Sequence, residues 1–93
     1  MVRIEAEPEY ADEVEALLRG AQELAEQEQG TVTWVAVRES ATTFDTFDTF
    51  EGEQGRQAHL GGRIAAALGE AAQTKLSAPP VIAPVDLLGV KVS

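Results

Sequence analysis

The 93 residues include no cysteine, which removes disulfides, thiolate chemistry and the usual sulfur ligands of a structural zinc site. Asparagine is absent as well, and histidine, tryptophan and tyrosine occur once each, as His59, Trp34 and Tyr10. Basic residues are scarce: seven Lys and Arg stand against sixteen Asp and Glu, a net charge of −9. Such a chain lacks the basic surface that nucleic acid requires and that docking on an anionic membrane requires. No apolar run approaches the ~20 residues of a membrane span. The opening "MVRIEAEPEY" carries neither the basic nor the apolar region of a signal peptide. The expectation is a soluble cytoplasmic protein with neither a nucleic-acid nor a membrane partner.

Hydrophobic residues make up 44% of the chain, enough for one small core, so residues 1–93 are read as a single domain. "MVRIEAE" alternates Val2, Ile4 and Ala6 with Arg3, Glu5 and Glu7, the pattern of a half-buried strand, and Pro8 ends it. Val14, Leu17, Leu18, Ala21, Leu24 and Ala25 then form one helical stripe, with acids in the first turn and Gly30 as its C-terminal glycine. "TVTWVAVRE" is dense in β-branched residues and reads as a strand. A second helix is expected from Glu53 to Leu76, with Gly61 and Gly62 as its weak point. A last strand is expected from Pro84 to Val92. The order β-α-β-β-α-β is the ferredoxin-like split motif, an α+β fold with a four-stranded antiparallel sheet and both helices on one face.

Between the second strand and the second helix lies "FDTFDTFEG", whose phenylalanines recur every three residues. The three-residue "SAT" before it links two strands, as in a hairpin, so a two-residue pleat governs the stretch. Phe44, Thr46, Asp48 and Phe50 then share one face, and Asp45, Phe47 and Thr49 the other. The two aspartates point to opposite sides and cannot chelate one ion together, and their spacing is not that of a calcium loop. No metal site is expected.

Both faces of the expected sheet are apolar. Trp34 and Ala36, with Val32, oppose Val35 and Val37 on the second strand; Phe44 and Phe50 oppose Phe47 on the third. The last strand sets Val85 and Leu87 against Leu88, Val90 and Val92. Two helices cover one face only, so a second copy of the chain is expected on the other, as a homodimer about a two-fold axis.

The run "TVTWVAVRES…TTFDTFDTFEGEQGRQAHLGGRIAAAL" resembles the antibiotic biosynthesis monooxygenase family, in particular its small bacterial quinol-monooxygenase-like members. The resemblance covers nearly the whole chain and rests on the order and spacing of its parts. It implies a dimeric α/β barrel that oxygenates a quinol or polyketide-like aromatic with no bound metal, flavin or other cofactor. Related haem-degrading members use a histidine on helix 2 with an asparagine and a tryptophan. His59 and Trp34 stand in similar places, but with no asparagine that constellation is incomplete.

A cofactor-free oxygenase needs a base to take a proton from its phenol or quinol. His59 is the candidate, as the one side chain whose ordinary pKa lies near neutrality. Arg56, His59 and Arg63 fall at i, i+3 and i+7, a basic stripe suited to an anionic oxygen of the substrate, although salt bridging with Glu53, Glu70 or a strand carboxylate is the commoner reason for such a stripe. Trp34, Phe47 and Phe50 are candidate aromatic lining, with Tyr10 as a further aromatic wall. Asp48, beside Phe44 and Phe50, needs a partner, with His59 and Arg38 the choices. The rival reading is a non-catalytic homodimeric binding module for a small hydrophobic aromatic metabolite.

Overall fold

A computed structural model describes residues 1–91. Its sheet contains β1 (Val2–Glu5), β2 (Thr31–Arg38), β3 (Thr43–Phe50) and β4 (Val81–Ile82), in the spatial order β2-β3-β1-β4 and antiparallel at each pairing. Helices α1 (Ala11–Glu26), α2 (Glu53–Leu60) and α3 (Arg63–Thr74) complete the domain, with a 3₁₀ turn at Pro8–Tyr10 leading into α1. This is the expected ferredoxin-like topology. No helix among the described residues is long and apolar enough to cross a membrane.

The core lies between the sheet and the helices. Ile4 and Phe44, paired across β1 and β3, meet Val14, Leu18 and Ala21 of α1 and Ile64 and Leu68 of α3. Phe44, Ile4 and Val14 are essentially inaccessible; burial of each such side chain stabilises the fold by about 1.5–3 kcal/mol. The two-residue pleat of β3 holds: Phe44 and Thr46 are buried beneath the helices, while Asp45 pairs with Arg3 on the open side at 3.1 Å.

Four sequence expectations are corrected. The single helix over Glu53–Leu76 is two helices, because Gly61 and Gly62 supply neither side-chain packing nor helix propensity at the break. The last strand is confined to Val81 and Ile82, which pair with Arg3 and Val2. Ala83 still exchanges two backbone hydrogen bonds with Met1, at 2.8 Å each, and beyond it residues 84–91 form no strand; Val92 lies outside the described residues. Helix α1 stops at Glu26, so Gly30 is not its C-cap. Val32 leaves the face of Trp34 and Ala36, because the register of β2 slips between Thr31 and Thr33 and leaves it 66% exposed.

Gly30 has another role. A methyl group on it would lie 2.6 Å from the Cα of Gly55, and one on Gly55 would lie 2.6 Å from the Gly30 carbonyl oxygen. Side chains at either position would separate the two backbones, so the glycine pair lets α2 press directly on the turn before β2. Gly52, at φ 107°, makes the left-handed bend that starts α2. Together these glycines set the height of α2 over the end of β3.

Candidate active site

That placement brings three distant residues together. His59 on α2 is only 7% exposed and sits between two carboxylates. Its Nδ1–H donates to Glu28 Oε1 at 2.7 Å, and its Nε2–H donates to Asp48 Oδ2 at 3.0 Å. Glu28 follows the end of α1 and also accepts from the Thr31 hydroxyl at 2.8 Å. Asp48 comes from the helix-facing side of β3, directly across from Trp34 on β2. The Phe50 ring lies 5.2 Å from the imidazole, centroid to centroid.

Two negative neighbours favour the imidazolium. The hydrogen bond to Asp48 is the largest cause; the bond to Glu28 adds to it, burial opposes it, and the His59 pKa rises from 6.5 to about 9. At neutral pH the ring therefore carries both protons, and a doubly protonated ring has no lone pair left for another.

Asp48 is different. Its Oδ2 is taken by His59, but its Oδ1 is buried with no hydrogen-bond partner among the described residues. An unmatched buried carboxylate oxygen is costly unless something else completes it. Asp48 also lines a cavity of about 350 Å³ with His59, Arg56, Trp34 and Phe50, closed on other sides by Leu60, Ile64, Leu68 and the segment around Ile82–Val85. The walls are mostly carbon with a few polar atoms, the usual make-up of a small-molecule site, and the volume is within the usual range.

The sequence candidates divide accordingly. His59, Asp48, Trp34, Phe50 and Arg56 meet at this cavity. Arg63 does not: the break at Gly61–Gly62 starts a new helix, and the side chain is exposed. Phe47 projects from the open face of the sheet, opposite Val35, and does not line the cavity. Tyr10 lies in the turn before α1, also away from it. Of the two partners considered for Asp48, His59 is the one found; Arg38 pairs with Asp12 at 3.3 Å and Glu15 at 3.1 Å and lies over the Phe44 ring. Glu28 was missed. It is one of nine acids in the first thirty residues, and no local spacing separates it from the other eight.

A second hollow, of about 330 Å³, runs along β2 beside α1. Its charged residues satisfy one another, Glu15 with Arg38 at 3.1 Å and with Arg19 at 3.6 Å. It presents no unmatched buried group, so the cavity at Asp48 is the candidate site.

No family model matches the chain, and no curated protein matches it. Solved structures do. A protein of unknown function from Nitrosomonas europaea is 47% identical over 99% of this chain and 89% of its own, with a TM-score of 0.92. An antibiotic biosynthesis monooxygenase superposes with a TM-score of 0.81 at 14% identity, covering 95% of each chain. A protein from Mycobacterium tuberculosis does so at 0.78 and 16%, over 95% of this chain and 94% of that one. At such identities the last two establish the shared fold.

Proposed function

The chain belongs to the same family as the Nitrosomonas europaea protein of unknown function, and from that membership and the monooxygenase fold we propose that it is a quinol-type monooxygenase. The substrate class is a quinol or polyketide-like aromatic, seated between Trp34 and Phe50. The observation that carries the reading is the partnerless Asp48 Oδ1 at an apolar cavity, beside an imidazolium.

In this reading Asp48 takes the role of base that the sequence suggested for His59. Asp48 Oδ1 accepts the proton of a substrate hydroxyl, while Oδ2 continues to accept from His59. The positive ring compensates the charge that develops on the substrate oxygen. The resulting electron-rich anion supplies the electrons for dioxygen. One oxygen atom forms a bond to ring carbon; the other leaves as water with the two hydrogens released as quinol becomes hydroxyquinone. His59 is a positioning residue here, held in register by Glu28.

Oxygen-electrode measurements with a neutral naphthohydroquinone test this, with labelled dioxygen to follow the atoms. The expected result is protein-dependent uptake of one dioxygen per quinol and one labelled oxygen in the product. Tight binding of the quinol with no uptake above the protein-free rate rejects the oxygenase and favours the binding module.

The same reading includes a homodimer. On the open face of the sheet Val35 and Val37 are 45% and 50% exposed beside the half-buried Phe47, and Val81, 63% exposed, lies across the Arg3–Asp45 pair from them. In the C-terminal segment Leu87, Leu88 and Val90 are at least half exposed too. So much exposed apolar surface on a small chain calls for cover, and a second copy meeting it face to face supplies a complementary surface. Sedimentation equilibrium at micromolar concentration is expected to give the mass of two chains; the mass of one chain removes the proposal.

A further inference from the structure

We infer that the substrate is an aromatic hydroxyacid anion, with a ring hydroxyl that donates to Asp48 Oδ1 and a carboxylate that accepts from Arg56. This rests on the reading of the cavity as a substrate site and narrows it.

Two of the residues that line the cavity carry unmatched polar groups. One is Asp48 Oδ1, buried and without a partner. The other is the Arg56 guanidinium. Its one ion pair among the described residues is with Glu53 at 3.6 Å, between side chains that are 42% and 69% exposed. So long and exposed a pair contributes little, and it leaves most of the five guanidinium N–H donors unused. Arg56 and His59 are three apart on α2, hence on one face, with Cβ atoms about 5–6 Å from each other. Asp48 is bonded to that same His59 at 3.0 Å. An acceptor and a cation thus stand side by side at one end of an otherwise apolar space.

Each simpler ligand leaves one of them unanswered. A neutral hydrocarbon matches neither, and Oδ1 stays desolvated. An ammonium ion matches Asp48 but leaves the Arg56 guanidinium without an acceptor. An acid without a hydroxyl matches Arg56 and turns no donor toward Asp48. A phenol matches Asp48 only. A hydroxyl and a carboxylate on one aromatic frame satisfy both, and Trp34 and Phe50 offer the ring its faces. The net charge of −9 repels anions at long range, but exposed charges beyond the Debye length of about 8 Å are largely screened at physiological salt. Near the cavity the His59 imidazolium is already compensated by Glu28 and Asp48, so the loosely paired Arg56 guanidinium is the cation left for a carboxylate.

Calorimetric titration of the full chain with 6-hydroxy-2-naphthoate, 2-naphthol and 2-naphthoate tests the inference. The hydroxyacid is expected to bind tightest, on the order of tenfold over 2-naphthol, as one charge-assisted contact allows. In Arg56→Gln that preference falls to near one while 2-naphthol binding is unchanged, which also shows the cavity intact. An unaltered preference in Arg56→Gln, equal binding of 2-naphthol and the hydroxyacid by the wild type, or no heat from the hydroxyacid overturns it. Uptake of oxygen with a neutral quinol and no acid preference removes this inference alone. Acid preference with no uptake on any quinol retains the ligand class and removes the oxygenase.

Discussion

Asp48→Asn lowers kcat/KM for quinol oxidation by about 10²–10⁴-fold, the range a positioned general base contributes. The substitution is nearly isosteric, so the cavity keeps its shape; the lost proton acceptor lowers kcat, and the lost hydrogen bond to the substrate hydroxyl raises KM by a smaller factor. The amide resolves its orientation through His59: its oxygen accepts from Nε2–H, which turns its NH₂ toward the substrate. A donor then replaces the acceptor, and no group remains to take the proton. A second reading follows the same variant without turnover. The hydrogen bond to Asp48 is the largest cause of the raised His59 pKa, so that pKa moves down from about 9 toward 6.5, visible in an NMR titration of the only histidine. Wild-type turnover in Asp48→Asn ends the case for Asp48 as base. A lowered rate with an unmoved His59 titration shows that the ion pair is not what the geometry indicates.

The parts of this site that the sequence displayed are those governed by local period. The pleat of β3 put Asp48 with Phe44 and Phe50, and set Phe47 and Asp45 on the far side, and the structure agrees residue by residue. The stripe of α1 was equally plain because Val14, Leu18 and Ala21 recur at the helical spacing. What remained hidden depends on contacts between distant segments. Glu28 and His59 are 31 positions apart and meet only because Gly30 and Gly55 allow two backbones to touch. A glycine in a turn and another in a helix carry no mark of belonging to each other. Arg63 illustrates a subtler failure: its place on the basic stripe required an unbroken helix, and the Gly61–Gly62 break, visible in the sequence, rotates everything after it. The stretch after Pro84 failed for want of a neighbour. Its residues favour a strand, but strand structure comes from pairing, and past the Ala83–Met1 hydrogen bonds this stretch pairs with no strand of the sheet.

His59→Leu lowers the unfolding free energy by about 3–5 kcal/mol, the cost of removing one partner from a buried ionic cluster. The leucine fills the space, so the loss does not come from a cavity. It comes from Glu28 and Asp48, now two carboxylates directed at carbon with no cation between them. Replacing all three, Glu28→Leu with Asp48→Leu and His59→Leu, therefore restores most of the stability, because no uncompensated charge remains. The pH dependence distinguishes this account from a simple packing defect. A folded-state pKa raised from 6.5 to about 9 means that folding binds the proton more tightly. That contribution is fully present below about pH 6.5 and is lost as pH rises through about 9. Its ceiling corresponds to about 3 kcal/mol. Urea unfolding of the wild type across this window is expected to show the decline, and His59→Leu to lack it, so the two curves converge toward high pH. Parallel curves, or a cost of the leucine variant below about 1 kcal/mol, would mean that the cluster neither holds a buried charge nor latches α2 to the sheet.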